Sequence, residues 1–170
     1  MKLFSIITIR LLVAACESSS LVIVVIETTA GDIVVGVDTV AATITGTNFL
    51  RYVDGGFYAG GTFYRSVRMD NQPDNDIRIE VIQGGVNTVG ETSFFESIVL
   101  ERTNKTGIRH LDGVISMARD GPDSATHSTF ICIGDQPSLD FGGMRNPDRQ
   151  GFGAFGHVIS GMDLVRLIQW

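Results

Sequence analysis

The sequence predicts a mostly β domain, folded as an antiparallel β-barrel with two helices. Two observations favour this class: many short segments rich in β-branched and aromatic residues, and only two stretches with helical periodicity. A content of 20 glycines in 170 residues indicates many tight turns. A parallel βαβ sheet would require a helix between successive strands, and the pattern does not supply these helices.

The first two predicted strands form a hairpin. Val22–Thr28 and Ile33–Asp38 are β-branched runs, and Ala30–Asp32 between them has the glycine expected of a tight turn. Further short strands are predicted at Thr62–Val67, Ile79–Gln83, Val114–Met117, Thr129–Ile133 and Ala154–Ile159.

The two predicted helices lie near the start and at the end of the domain. The first covers Ile44–Asp54, with Thr43 as N-cap and Gly55-Gly56 as the stop. Its expected buried face consists of Phe49, Leu50 and Val53. The second begins near Met162 and is amphipathic.

Residues 1–20 are set apart from the predicted domain at 21–170, and they resemble a bacterial lipoprotein signal with a short tether. An apolar run, Leu3–Ala15, ends in small residues before Cys16, the expected site of lipidation. The run is shorter than the roughly 20 residues that span a bilayer. With such a signal we expect the protein in the periplasm or cell envelope, anchored through the lipid. Arg10 interrupts the run, so a cytoplasmic protein without a signal is the alternative.

Composition excludes several classes of function. A net charge of −6 argues against a nucleic-acid surface, which needs clustered lysine and arginine. Cys132 lies in an apolar run and is expected to be buried, so neither a disulfide nor a zinc site is predicted. The three histidines are scattered, and no hydrolase motif is present. We expect no cofactor and a monomer.

Four ordered segments carry the functional information. They are Phe63-Tyr64-Arg65; Val81-Ile82-Gln83-Gly84-Gly85; Ile115-Ser116-Met117-Ala118 with Gly121-Pro122 and Phe130-Ile131-Cys132; and Phe155-Gly156. In this order they resemble the cyclophilin family of peptidyl-prolyl cis-trans isomerases, over Val22 to Trp170. The loops Asp70–Asn75 and Leu139–Gly143 resemble a bacterial subgroup of that family.

The resemblance implies a site for proline-containing peptides and for unfolded or folding proteins. Arg65 and Gln83 match the catalytic arginine and the glutamine that positions it. The implied substrate-binding residues are Val81, Met117, Ala118, Arg119, Phe130, Leu139 and Phe152, with Phe130 as the floor of the proline slot. Taken singly, Arg65 is also an ordinary strand arginine and Phe130 an ordinary core aromatic residue.

The implied reaction can also be argued from chemistry. Rotation about an X–Pro bond breaks amide resonance against a barrier of about 18–20 kcal/mol. A catalyst needs an apolar slot for the ring, donors for the neighbouring carbonyl, and a cation near the prolyl nitrogen, whose lone pair returns as the bond twists.

The sequence departs from the family pattern at several points. Phe152 occupies the position of the pocket histidine, and Glu80 that of a phenylalanine on the slot wall. The family's closing strand follows the last helix, whereas this sequence stops at Trp170, so we expect that strand to be missing. Two alternatives to an isomerase stay open: a proline-peptide binding or chaperone module with little turnover, and a non-functional fragment.

Overall fold

The structure is a computed structural model that describes residues 21–72, 74, 76–87 and 94–170, together with the backbone of 8–11. The predicted lipidation site, Cys16, lies outside the described residues.

Eight strands and three α-helices make up the described chain. The strands are β1 (Thr8–Leu11), β2 (Leu21–Thr28), β3 (Gly31–Asp38), β4 (Thr62–Val67), β5 (Val81–Gly85), β6 (Val114–Met117), β7 (Thr129–Cys132) and β8 (Gly153–Ser160). The helices are α1 (Thr43–Asp54), the single turn α2 (Thr103–Thr106) and α3 (Met162–Gln169), with a 3₁₀ turn at Pro137–Leu139. Across the described ranges, no helix has the length and apolar character needed to traverse a bilayer.

All eight strands belong to one antiparallel sheet, in the order β1-β2-β3-β8-β6-β7-β5-β4. No ladder between described residues joins β4 to the opposite edge, so the strands form a half-barrel. The predicted mostly β class is therefore confirmed. The predicted hairpin is β2–β3, which turns between Thr28 and Gly31.

The first helix begins differently from its prediction. Thr43 is its first residue, and the N-cap is Ala42, whose methyl side chain cannot accept a hydrogen bond from the helix. The Asp38 carboxylate instead accepts hydrogen bonds from the backbone N–H groups of Val40 and Ala41, in the turn that leads into the helix. The buried face also extends to Tyr52, while Leu50 is only half-buried.

Strand β5 begins two residues later than predicted, at Val81. The cause is the nearly buried side chain of Gln72, which bonds both backbone groups of Ile79. Because its N–H and C=O are paired with this amide, Ile79 does not join the ladder of a neighbouring strand.

Alternation along the central strands divides the apolar side chains into two clusters. Ile82 of β5 and Ile131 of β7 face the main core, where they pack with residues of β2, β3, α1 and α3. Their neighbours Val81 and Phe130 face the opposite side of the sheet. That second cluster consists of Val67, Ile79, Val81, Phe130, Cys132 and Leu139, with Ala118 and Phe152 packed against it. The sheet thus has two apolar faces, and the smaller one supports the candidate site.

Close packing of β3 against β8 predicts the effect of one substitution. A Cβ atom on Gly156 would lie 2.2 Å from the Gly36 carbonyl oxygen, so Gly156→Ala must separate the two strands. We expect the free energy of unfolding to fall by about 2–4 kcal/mol, as measured by urea denaturation. Gly121→Ala is the matched control, since its Cβ would meet no atom within 4 Å. Equal stability of the two variants would contradict this packing.

Candidate active site

A groove with a volume of about 510 Å³ lies over the second cluster. The predicted site residues that line it are Arg65, Val81, Gln83, Ala118, Arg119, Phe130, Leu139 and Phe152. The structure therefore brings together every predicted catalytic and substrate-binding residue except Met117.

Cross-strand register places the central side chains of the groove in one row. Arg65 of β4 pairs with Gln83 of β5, and Gln83 pairs with Phe130 of β7. Paired residues on adjacent strands project to the same face of a sheet. The Arg65 Nη1 donates to the Gln83 Oε1 at 3.3 Å. A guanidinium group is thereby held one strand away from an amide and two strands away from an aromatic ring.

A bulge in β4 brings a second side chain onto the same amide. The ladder to β5 shifts between Phe63 and Arg65, so the intervening Tyr64 lines the groove together with Arg65. The Gln83 Nε2 donates to the Tyr64 hydroxyl at 2.9 Å, and this hydroxyl lies 2.9 Å from the Ser128 Oγ. Gln83 is therefore held at both ends of its amide, which fixes the acceptor that Arg65 contacts.

The floor of the groove is apolar and aromatic. Phe130 is 4% exposed, and the ring of Phe152 packs edge-on against it with centroids 5.3 Å apart. Leu139 and Val81 complete the predicted part of the floor. Val67 and Ile79 also line it and were missed in the sequence. Their spacing, two residues after Arg65 and two before Val81, is the signal that identifies them.

Glu80 does not occupy the wall of the groove, although the family alignment placed a wall phenylalanine there. It lies between Ile79 and Val81, both of which belong to the floor cluster. Since side chains alternate along an extended segment, that of Glu80 is directed away from the floor. The neighbouring Ile79 is among the apolar residues that line the groove.

Met117 was expected in the groove, and the structure places it in the main core at 1% exposure. The prediction is wrong because of the alternation along β6. Ile115 and Met117 share the face that packs into the main core, while Ser116 between them pairs with Phe130 on the groove side.

A polar cluster lies beneath the aromatic floor. The buried His110 ring lies 5.9 Å from Phe130 and nearly parallel to it. Its Nδ1 is 2.8 Å from the Asp140 Oδ1 and its Nε2 is 3.0 Å from the Ser116 Oγ. The order serine, histidine, carboxylate matches an acyl-transfer triad. Ser116 is fully buried, however, so its hydroxyl cannot reach a substrate and the cluster supports the floor.

The charge on Asp140 is stabilised within this cluster. Burial acts to raise the pKa of Asp140, but hydrogen bonds from the His110 ring and backbone N–H, with electrostatic interactions with His110 and Arg109, outweigh it and lower the pKa. His110 and Asp140 are 30 residues apart in the sequence, and no motif joins them to Ser116, so sequence analysis missed the cluster.

Arg119 contributes to the groove differently from Arg65. Its guanidinium forms a two-point ion pair with Asp148, with N–O distances of 2.7 and 2.9 Å, and Nε donates to the Gly151 carbonyl. The hydrogen bond from Arg119 lowers the pKa of Asp148. The Ala118 N–H donates to the Ser128 carbonyl. Among the described hydrogen bonds, none uses the Ala118 carbonyl or the Arg119 N–H, so both can pair with an extended peptide.

Comparison with known proteins identifies the family. The sequence profile described as cyclophilin type peptidyl-prolyl cis-trans isomerase/CLD matches residues 23–170. The chain belongs to this family, and the resemblance found in the sequence is confirmed.

Two bacterial relatives are similar to the chain over most of its length. It is 33% identical over 144 residues to peptidyl-prolyl cis-trans isomerase A of Dickeya dadantii, covering 84% of this chain and 68% of that protein. It is 31% identical over 145 residues to peptidyl-prolyl cis-trans isomerase cyp18 of Streptomyces antibioticus, covering 85% and 81%.

Solved cyclophilins share the fold at lower identity. A Cryptosporidium parvum cyclophilin type peptidyl-prolyl cis-trans isomerase, solved in the presence of the dipeptide Ala-Pro, matches with a TM-score of 0.67 and 20% identity, covering 86% of this chain and 84% of that one. Cyclophilin AquaCyp293 of Hirschia baltica matches with a TM-score of 0.65 and 19% identity, covering 85% and 66%.

The buried cluster predicts how stability changes with pH. Folding lowers the pKa of Asp140, so the ionised carboxylate stabilises the folded state. This stabilisation is fully present above the unfolded pKa of about 3.9 and is lost as the pH falls through the lower folded pKa. We expect Asp140→Asn to lower the free energy of unfolding by about 1–3 kcal/mol at pH 7, as measured by urea denaturation. The difference should become progressively smaller as the pH falls below the unfolded pKa of about 3.9 and through the lower folded pKa. Asp54→Asn, at an exposed position, is the control and should show no such trend. If the loss of unfolding free energy in Asp140→Asn stayed constant with pH, this role of the carboxylate would be refuted.

Proposed function

We propose that the groove catalyses cis-trans isomerisation of X–Pro bonds, with Arg65 stabilising the half-rotated peptide bond. The observation that carries this proposal is the row Arg65–Gln83–Phe130, which sets a held guanidinium beside an apolar floor. Family membership supports the same activity.

The proposed mechanism requires no covalent step and no net proton transfer. When the X–Pro bond is planar, the nitrogen lone pair is delocalised into the carbonyl and is a poor acceptor. At half rotation the lone pair returns to the nitrogen, and a donor placed there forms a stronger hydrogen bond. Arg65 would therefore bind the twisted state better than either planar state, which lowers the barrier. An arginine suits this role because its charge is permanent and its donors have fixed geometry.

Each part of the groove has a place in this mechanism. The proline ring would rest on Phe130, between Leu139 and Phe152, where burial of its methylene groups is favourable. The Ala118 carbonyl and the Arg119 N–H would pair with the extended backbone next to the ring. Gln83 would hold Arg65 in position and offer its amide to the substrate. The Cryptosporidium relative solved in the presence of Ala-Pro supports a proline-containing ligand for this fold.

We also propose that the substrates are exposed prolines of unfolded or folding proteins in the bacterial envelope, and that the protein acts as a monomer. An open groove suits an extended chain, which presents its X–Pro bonds to solvent. The pattern that ends at Cys16 supports export and a lipid anchor. Mass spectrometry of the protein from membranes tests the anchor: a diacylglycerol on Cys16 would support it, and an unmodified Met1 terminus would refute it.

A binding module with little turnover is the second candidate. Phe152 favours it, because a phenylalanine fills the position of the family's pocket histidine and cannot donate a hydrogen bond to the peptide. The two candidates differ only in turnover, so a rate measurement separates them.

The isomerase proposal predicts a specific effect of Arg65→Ala. We expect the variant to bind an Ala-Pro peptide as wild type does but to isomerise it at least about tenfold more slowly, equivalent to about 1.4 kcal/mol of barrier. Exchange NMR measures both quantities in one sample. Arg78→Ala is the control, since Arg78 is exposed and does not line the groove. Wild-type binding without turnover would contradict the proposal and favour the binding module.

A further inference from the structure

A second guanidinium group lines the groove without a described carboxylate partner. Arg145 lies in the loop between the 3₁₀ turn and β8, and it lines the same groove as Arg65. Its Nη1 donates to the Gln72 Oε1 at 3.0 Å and to the Ile77 carbonyl at 2.6 Å. Both acceptors are neutral, and none of the described ion pairs includes Arg145.

The positive charges of the groove are therefore only partly compensated. The charge of Arg119 is paired with Asp148, whereas the described bond of Arg65 goes to the neutral Gln83. Asp120 is the one acidic residue among the described lining residues, and it takes part in no described ion pair. Burial lowers the pKa of Arg145, and the charge of Arg65 lowers it further. Two like charges thus act on each other within one groove of a chain whose net charge is −6.

Arg145 is held in place by a nearly buried amide. Gln72 bonds the Arg68 and Ile79 carbonyls through its Nε2 and accepts from Arg145 through its Oε1. This contact joins the loop before β5 to the loop before β8. A cation that is already fixed loses little conformational entropy when it binds an anion, so its charge is available for recognition.

We propose that Arg145 is a specificity-determining residue, which favours substrates with an Asp or Glu side chain within two residues of the isomerised proline. The inference rests on the proposed function of the groove. An extended peptide advances about 3.3 Å per residue, so a carboxylate at that separation stays within the groove when the ring lies on Phe130. The carboxylate would accept hydrogen bonds from Arg145 and reduce its repulsion with Arg65.

The test compares peptides that differ only in charge. The starting peptide contains Ala-Pro. Glu, Gln or Lys replaces, one at a time, each of the two residues before the proline and each of the two residues after it. For every peptide, kcat/KM is measured by exchange NMR. We expect Glu to exceed Gln by about three- to tenfold at one position at least, and Lys to fall below Gln there. In the wild type this preference should shrink as salt rises from about 20 to about 300 mM.

Two variants assign the preference to Arg145. We expect Arg145→Gln to bring the Glu/Gln ratio close to one, and Arg145→Lys to keep part of it. Arg149→Gln removes the same charge from an exposed position of the same loop that does not line the groove, and it should keep the wild-type ratio. If Arg145→Gln does not fold, the salt dependence in the wild type and the ratio in Arg145→Lys still test the inference.

The outcomes separate this inference from the function on which it rests. Turnover of the neutral peptide without any preference for Glu would overturn the inference and leave the isomerase proposal intact. If Arg149→Gln lost the preference for Glu over Gln as Arg145→Gln does, the inference would be overturned, because a general charge effect would then be responsible. Absence of turnover with every peptide would refute the proposed function itself.

Discussion

The candidate site depends on the register of three neighbouring strands. Arg65, Gln83 and Phe130 occupy paired positions on β4, β5 and β7, and the order of these strands in the sheet places the cation, the amide and the ring in sequence. A shift of one residue in either ladder would turn one of these side chains towards the main core. The bulge at Tyr64 preserves the row while adding a second support for Gln83. Chemistry at the groove is thus a consequence of backbone pairing.

The two loops beside the groove are tied to each other and to its floor. Gln72 connects the loop before β5 to Arg145, and Arg119 holds the loop before β8 through Asp148. Beneath the floor, His110 connects that same loop to β6 through Asp140 and Ser116. These polar contacts give the loops around the floor defined positions. The groove can therefore present fixed donors to a substrate without first having to order them.

Sequence analysis predicted the local features well and the non-local ones poorly. The bounds of Thr62–Val67 and Val114–Met117 agree with β4 and β6, because β-branched runs between turns are strong local signals. Arg65 and Gln83 were found through ordered motifs. Met117 was assigned to the groove face of the sheet, whereas it faces the main core. The resemblance to a family did not show which residues of β6 point to which face. The cluster of His110, Ser116 and Asp140 was missed because its members meet only after the sheet has formed.

The central claim is that the proline ring of a substrate lies on Phe130 while Arg65 reaches the prolyl nitrogen. Intermolecular nuclear Overhauser effects between an Ala-Pro peptide and the isotope-labelled protein test it most directly. The account predicts contacts from the proline ring protons to the aromatic protons of Phe130 and Phe152, and a changed chemical shift for the Arg65 guanidinium. Contacts of the proline ring that lie outside the groove, with the Arg65 signals unaltered, would contradict it.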